Sequence, residues 1–342
     1  MDALSCEPGY SGVLVEAGAR LHMGFINPTP GQGRSFGSMG VALQSPSTRI
    51  GLRTSAAPRA TGPDAERALL AVHRTAQILG VQPRAQVTVH QSIPEHTGLG
   101  SGTQLALSVG WGLARVHAHA ATLHQIAAVT ERGARSGIGI GAFEQGGFLL
   151  DGGRGSSDRV PPVIARMPFP DRWRIILVLD PATRGLHGQQ EIDAFRTLPA
   201  FPPDQVAYLA QLVLTEVLPA LAEQQLDAFG AAITEIQERV GDHFAPAQGG
   251  RFASPIVAQA LEYLRGGGGA AIGQSSWGPT GFCVVPGEQQ AQRLVADARR
   301  RFARSADVRF VVTRARNTGA SIHTDKAGAP AATIRHGFES QR

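Results

Sequence analysis

A glycine-dense segment with interspersed hydroxyl groups offers the clearest chemistry in this sequence. It covers residues 94–104 and reads PEHTGLGSGTQ. Glycine lets backbone N–H groups approach an anion closely, and a helix start adds unsatisfied donors with a partial positive charge. The segment is therefore predicted to bind phosphate, although a capped helix after a tight turn would leave the same pattern. The residues predicted to contact the ligand are Gly98, Gly100, Ser101, Gly102, Thr103 and Gln104.

The spacing of this segment differs from the common phosphate loop GxxxxGK[ST], and no lysine follows it. A strand and a helix are expected to hold it in place. Residues 85–90 have the alternation of a strand, and the apolar run over 105–116 predicts a helix. The segment is thus expected to be the turn of a strand–turn–helix unit.

Other elements of the first half follow from periodicity and from glycine. Strands are predicted at 13–17 and 50–53, on either side of a glycine-rich loop at 24–40. Apolar spacing predicts a helix over 65–79 that ends at Gly80. The remaining predictions are a helix at 122–132, a glycine-rich stretch at 137–151 leading into a strand at 147–150, and a linker or exposed hairpin at 152–170.

The second half has the same mixture of elements. Strands are predicted at 174–179, 281–285 and 308–314, and helices at 203–222, 225–240, 254–264 and 289–303. This mixture predicts an α+β protein with two layered domains. The predicted domains are 1–165, with the phosphate loop, and 166–326, and residues 327–342 are expected to be a disordered tail.

Composition excludes several classes of function. No run of about 18 apolar residues occurs, which argues against a membrane span, and the first residues lack a signal-peptide pattern. Two cysteines suggest neither a disulfide framework nor a thiolate metal site. The net charge of +5 comes from dispersed arginines without interleaved aromatic residues, so nucleic-acid binding is not expected. A cytoplasmic protein is expected.

Three segments together resemble the motifs of the GHMP kinase superfamily: residues 20–25, the phosphate segment and a second glycine/serine turn at 274–280. The resemblance implies a two-domain GHMP-kinase-like fold, with an N-terminal domain like ribosomal protein S5 domain 2, a ferredoxin-like C-terminal domain and the ligand between them. Two departures argue against kinase activity. Gly102 replaces a serine that helps those kinases bind Mg²⁺, and Gly139 falls where they carry a catalytic aspartate. Glycine can neither accept a proton nor orient a hydroxyl.

A narrower family fits better. Residues 20–25, 98–104, 135–139, 184–188 and 274–280 resemble, in order, the β-ribofuranosylaminobenzene 5′-phosphate synthases. The resemblance implies that phosphoribosyl pyrophosphate is joined to 4-aminobenzoate or 4-hydroxybenzoate, with loss of CO₂ and pyrophosphate, in the synthesis of methanopterin-type cofactors. Neutralising the departing pyrophosphate favours Mg²⁺ and arginine. We expect the pyrophosphate to lie in the phosphate segment and the 5′-phosphate to lie elsewhere.

Several side chains are candidates for the reaction. His22 could bond a phosphate or the aromatic carboxylate, or serve as a core histidine, and His96 lies inside the phosphate segment. Arg184 and His187 follow a predicted strand and match the family's phrase, so they are taken as catalytic candidates together with the two histidines above.

Candidate binding residues surround these positions. Arg34 and Arg135 could grip phosphate or be solvated arginines. Gln274, Ser275 and Ser276 are expected to line the cleft, where Trp277 stacks on the benzoate ring or packs in the core. The oxygen donors predicted for Mg²⁺ are Ser101, Thr103, Glu144 and Glu191.

Two other classes of function stay open at this stage. One is an ATP-dependent small-molecule kinase with a displaced base, and the other is a non-catalytic protein that binds the same ligands. The residues do not decide between the two aromatic acids. A homodimer is the default expectation for such an enzyme.

Overall fold

Two β-sheets organise the chain, and the first contains strands from both of its ends. The computed structural model describes residues 10–28, 34–129, 136–155, 160–186, 188–305 and 308–326. The first sheet has the order β11-β1-β2-β4-β3, with β5 paired to β2 and β6 paired to β5. Its strands are β1 (Tyr10–Phe25), β2 (Ser38–Thr54), β3 (Arg59–Thr61), β4 (Ala85–Gln91), β5 (Phe148–Asp151), β6 (Val163–Met167) and β11 (Ser321–Lys326).

The two longest strands, β1 and β2, extend well beyond the short strands predicted at 13–17 and 50–53. Glycines interrupt the alternation of apolar and polar residues in both strands, which is why the sequence predicted short strands and a loop at 24–40. A Cβ built on Gly18 would lie 2.0 Å from the Leu43 carbonyl oxygen, so the strands can pair closely there only because the residue is glycine. Register shifts between Gly18 and Arg20 and between His22 and Gly24 bend β1 where it meets the phosphate segment.

The predicted helix over residues 65–79 is confirmed as α1 (Ala65–Leu79), closed by Gly80 with φ of 65°. The next helix, α2 (Ser101–Val116), begins at Ser101 rather than Leu105 and is buried along most of its length. The described part of the predicted helix at 122–132 is α3 (Leu123–Val129). The expected glycine-rich stretch contains an additional helix, α4 (Ile138–Glu144), whose apolar side chains are buried.

The second sheet is antiparallel, with the order β10-β7-β9-β8. Its strands are β7 (Arg174–Leu179), β8 (Ala271–Gln274), β9 (Gly281–Val285) and β10 (Arg309–Thr313), which confirms the strands predicted at 174–179, 281–285 and 308–314. Two helices pack on it through an apolar core, α9 (Pro255–Gly266) and α10 (Glu288–Arg301). The short helix α5 (Gln189–Thr197) precedes the helical run that follows.

The helix predicted at 203–222 is α6 (Pro203–Leu212), a π-helical turn (Val213–Val217) and α7 (Leu218–Ala222). By length and composition alone, this run is the one among the described residues that could span a membrane, and a third of it is buried. Leu209, Val213 and Val217 belong to the same apolar core as β1. A buried core helix of a globular protein passes the same test.

The long helix α8 (Leu226–Gln248) connects the two sheets. The Gln237 side-chain amide donates to the Met23 carbonyl oxygen at 2.8 Å, and its oxygen accepts from the Gln274 backbone N–H at 2.8 Å.

The two sheets do not divide the chain at a single point such as the predicted domain boundary after residue 165. The sixth strand, β6, reaches Met167, and β11 returns from the second half to pair with β1. The expected tail, 327–342, lies outside the described residues.

Candidate functional site

The phosphate segment forms a nest of backbone N–H groups at the start of α2. Gly98 and Gly100 have φ of 75° and 79°, in the left-handed region that favours glycine. The backbone N–H groups from Gly98 to Thr103 have no acceptor among the described residues, and the next one, that of Gln104, donates to Gly100. Successive unsatisfied donors at a helix start attract an anion. This backbone geometry is compatible with phosphate binding, which stays a prediction.

Two distant segments, β1 and the turn that contains Ser275, hold this nest. The Gly98 carbonyl oxygen accepts hydrogen bonds from Arg20 Nη1 at 2.6 Å and from Ser275 Oγ at 2.7 Å. The same Ser275 hydroxyl accepts from the His22 backbone N–H at 3.0 Å, and the Arg20 backbone N–H donates to Leu99 at 3.1 Å. A Cβ on Gly98 would lie 2.4 Å from the Ser275 carbonyl oxygen, so no other residue fits there without movement.

Arg20 is a site residue that the sequence reasoning did not select. Its aliphatic stem lies against Gly100, where a Cβ would be 2.8 Å from Arg20 Cγ. Burial lowers the pKa of the Arg20 guanidinium to about 10, while the nearby Glu191 carboxylate acts in the opposite direction. The signal available in the sequence is its position two residues before His22, which places both on one face of a strand.

The start of α4 faces the first turn of α2. A Cβ on Gly139 would lie 3.1 Å from Thr103 Cγ2, so Gly139, where the resemblance predicts the kinase aspartate to fall, adjoins the nest. Gln104 is fully buried and its amide donates to the Gly139 carbonyl oxygen at 2.8 Å, which joins the two helices.

Asp151 organises the other side of this helix start. Its carboxylate accepts from Ser38 Oγ at 2.6 Å, from Ser136 Oγ at 3.0 Å and from the Gly137 and Gly153 backbone N–H groups at 3.0 and 2.9 Å. Burial raises the pKa of the Asp151 carboxyl, and these hydrogen bonds oppose the rise. This network holds the start of α4 in place and with it the backbone of Gly139.

His22 and Trp277 lie in an aromatic cluster between β1, α5 and α8. His22 is 2% exposed, and its Nε2 has no partner among the described residues. Burial and the Arg20 charge hold the pKa of His22 well below 6.5, so its imidazole is neutral. Trp277 stacks on Phe244 at 4.2 Å between ring centroids, which is a packing role, and its Nε1 is likewise without a partner. The other members of this cluster are Phe25, Phe36 and Phe195.

The remaining residues of the second turn support its backbone. The Gln274 amide oxygen accepts from the Ala253 backbone N–H at 2.7 Å, and its nitrogen donates to Gln248 and to the Ser276 carbonyl oxygen, each at 3.2 Å. Ser276 has φ of 56°. Within this turn, Ser275 is the residue whose side chain reaches the nest.

His96 and Arg184 both line a cavity beside the nest, formed by residues 94–97, the end of β7 with the loop that follows it, and Arg309. His96 has φ of 57°, and its Nε2 is 3.7 Å from Glu95 Oε2. The loop after β7 is held by Asp180, which accepts from Thr183 Oγ1 at 2.6 Å and Ser254 Oγ at 2.7 Å. Burial would raise the pKa of Asp180, but these hydrogen bonds lower it below its ordinary value.

Two predicted residues are placed away from the nest. Arg34 donates to the Gly152 and Gly153 carbonyl oxygens at 2.6 and 2.5 Å, so its guanidinium links two loops. Glu144 ends α4, at the opposite end from the residues that face Thr103. Arg135 and His187 lie outside the described residues. Within the part of the chain that the structure describes, no group of three or more His, Cys, Asp or Glu side chains could hold a metal ion.

Comparison with known proteins identifies the fold. The family described as "GHMP kinases N terminal domain" matches residues 65–147, and "GHMP kinases C terminal" matches 217–304. Among solved structures, homoserine kinase from Cytophaga hutchinsonii superposes with a TM-score of 0.66 at 17% identity, covering 94% of this chain and all of that one. Mevalonate diphosphate decarboxylase from Staphylococcus aureus gives 0.62 at 14% identity, covering 92% and 98%. These similarities confirm the predicted α+β, two-domain GHMP fold.

Curated relatives share more of the sequence. The beta-ribofuranosylphenol 5′-phosphate synthase of Archaeoglobus fulgidus is 32% identical over 321 residues, which cover 89% of this chain and 97% of the relative. The protein of the same name from Methanothermobacter thermautotrophicus is 30% identical over 295 residues, 80% and 88% of the two chains. With this identity over nearly the full length of its relatives, the chain belongs to the β-ribofuranosylphenol 5′-phosphate synthase family.

Proposed function

We propose that this protein is a decarboxylating phosphoribosyltransferase of methanopterin-type cofactor synthesis. It joins phosphoribosyl pyrophosphate to 4-hydroxybenzoate or 4-aminobenzoate and releases CO₂ and pyrophosphate. The observation that carries the proposal is the unsatisfied nest from Gly98 to Thr103, bordered by the buried Arg20. The name of the relatives contains a phenol, which favours 4-hydroxybenzoate as the acceptor.

The nest suits a leaving group that gains charge. The C1–O bond of the sugar breaks, and its electron pair departs with the pyrophosphate, which the N–H groups and Arg20 stabilise. The ring carbon that bears the carboxylate donates the pair for the new bond to C1. The bond to CO₂ then breaks, and its electron pair restores the aromatic ring. No hydroxyl proton of an acceptor has to be removed by a base, which is consistent with glycine at position 139.

Positioning of the two substrates lowers much of the remaining activation barrier. Well-aligned reacting groups can reduce it by on the order of 7–11 kcal/mol. The neutral His22 offers an unpartnered Nε2 to the polar end of the acceptor. His96 and Arg184 border the cavity beside the nest and are proposed to act on the sugar phosphate. Arg135 and His187, which lie outside the described residues, stay candidates from the sequence motifs alone.

Mg²⁺ is the proposed cofactor. The donors near the nest are the Ser101 and Thr103 hydroxyls and the Glu191 carboxylate, which acts electrostatically on Arg20. Such a sparse oxygen set suits a cation that keeps several waters and is held largely by substrate phosphates. When bound, the ion would neutralise the charge that develops on the pyrophosphate.

The test is release of labelled CO₂ from carboxyl-labelled 4-hydroxybenzoate and 4-aminobenzoate. We expect release with phosphoribosyl pyrophosphate and Mg²⁺, and none with ATP as the donor. A phosphorylated product formed from ATP would replace this proposal with a kinase. Saturable binding of phosphoribosyl pyrophosphate without any product would indicate a non-catalytic binding protein.

A further inference from the structure

The cavity beside the nest has a volume of about 330 Å³, large enough for part of a sugar phosphate. One wall is the loop 94–97, which continues directly into Gly98. The lining also contains Arg184 and Arg309, and Arg309 pairs with Leu179 at the start of β10. The cavity and the nest are thus joined by continuous backbone from residue 94 to residue 98.

Both arginines of the cavity are without a polar partner among the residues that the structure describes. Among the described residues, the guanidinium groups of Arg184 and Arg309 make neither a hydrogen bond nor an ion pair. Other arginines of this chain behave differently: Arg174 is 2.6 Å from Glu288, and Arg251 is 2.7 Å from Asp242. Two unpaired cations that line one cavity repel each other, and an anion between them would remove that repulsion.

The two carboxylates of the cavity do not neutralise these arginines. Glu95 is ion-paired with Arg67. Asp180 accepts hydrogen bonds from the Ala182 backbone N–H and from the Thr183 and Ser254 hydroxyls. Asp180 keeps its negative charge, so the cavity has two arginine charges against one carboxylate charge, and its net charge is positive.

We propose that this cavity binds the 5′-phosphate of phosphoribosyl pyrophosphate through Arg184 and Arg309, while the nest binds the pyrophosphate. This inference rests on the proposed function for the identity of the ligand. It assigns a binding residue, Arg309, that none of the sequence motifs includes. It also orients the sugar, because its two phosphate-bearing ends are fixed by different walls of the site.

The experiment measures calorimetric affinities of the full chain for ribose 5-phosphate and for inorganic pyrophosphate separately. Arg309→Ala is expected to weaken ribose 5-phosphate binding about tenfold or more, the loss of one charge-assisted contact, and to change pyrophosphate binding less than about threefold. Arg309→Lys should recover part of the affinity, because it keeps the charge without the planar fork. The matched control is Arg293→Ala, an exposed arginine on α10 outside the cavity. Equal melting temperatures establish that the variants fold.

Several results would overturn the subsite. These are wild-type protein that does not bind ribose 5-phosphate, Arg309→Ala with unchanged affinity, or equal losses for both ligands. The labelled CO₂ assay separates this outcome from the proposed function. Release of CO₂ with an unchanged KM for phosphoribosyl pyrophosphate in Arg309→Ala refutes the subsite alone. A selective loss of ribose 5-phosphate affinity without any CO₂ release supports the subsite and refutes the synthase reaction.

Discussion

The Ser275 hydroxyl donates to the Gly98 carbonyl oxygen at 2.7 Å and so joins the second sheet's turn to the phosphate nest. Because it also accepts from the His22 backbone N–H, its removal costs two hydrogen bonds, although the Gly98 carbonyl oxygen keeps the bond from Arg20. We expect Ser275→Ala to lower the free energy of unfolding by about 1–3 kcal/mol and to raise the KM for phosphoribosyl pyrophosphate. Urea unfolding and steady-state kinetics measure both. Ser55→Ala, which removes an exposed hydroxyl, is the control, and equal effects of the two changes would contradict the assigned role.

Gly98 and Gly80 form a matched pair for testing the nest. Both have positive φ, 75° and 65°, but a Cβ at Gly98 would meet the Ser275 carbonyl oxygen, whereas one at Gly80 would meet nothing within 4 Å. Gly80→Ala is expected to cost about 1 kcal/mol of stability and to keep activity. Gly98→Ala is expected to cost more and to abolish CO₂ release, because the loop must move. Comparable activity in the two variants would show that the loop conformation is not required.

The missing side chain at Gly139 predicts that a negative charge placed there weakens pyrophosphate binding. Gly139→Asp places a carboxylate beside Thr103 and the nest, where it repels a pyrophosphate. We expect the affinity for inorganic pyrophosphate, measured by calorimetry, to fall at least several-fold more than in Gly139→Ala, which adds the Cβ without the charge. Identical affinities in these variants would mean that the anion does not bind near α4.

His22 predicts a pH dependence of stability. Its pKa in the folded protein lies well below 6.5, so below pH 6.5 the unfolded chain binds a proton that the folded chain does not. Stability from this group is therefore complete above pH 6.5 and is lost as the pH falls, by at most about 1.4 kcal/mol per pH unit. His117 and His243, whose pKa values burial also lowers, contribute with the same sign. Between pH 7 and pH 5, the free energy of unfolding should fall less steeply with decreasing pH in His22→Gln than in the wild type. A His22→Gln variant whose stability changes with pH as steeply as that of the wild type would contradict the assignment.

Variants of Glu191 and Glu144 test which of these two predicted magnesium ligands acts at the nest. EDTA should abolish CO₂ release, and added Mg²⁺ should restore it. Glu191→Gln is expected to raise the Mg²⁺ concentration for half-maximal rate several-fold, because Glu191 acts on Arg20 at the nest. Glu144→Gln should leave it unchanged, since Glu144 ends α4 away from Thr103. A larger effect at Glu144 would reverse this assignment.

The sequence predicted those elements whose conformation is determined by residues close to each other in the chain. The helix Ala65–Leu79 and the nest from Gly98 to Thr103 follow from spacing and glycine chemistry within a few residues. The extension of β1 through Gly18 could not be predicted, because it depends on close pairing with Leu43 across the sheet. Arg34 shows the same limit, since nothing near it in sequence indicates that its guanidinium would bind the carbonyl oxygens of Gly152 and Gly153.

The pairing of β11 with β1, from Tyr10 opposite Lys326 to Glu16 opposite Ser321, has a consequence for biosynthesis. The ribosome completes this edge of the first sheet only after it has made every other helix and strand of the described fold. Until then β1 presents an open row of N–H and C=O groups to any other nascent chain. A recombinant fragment that stops before Ser321 would keep that edge exposed and would be expected to self-associate.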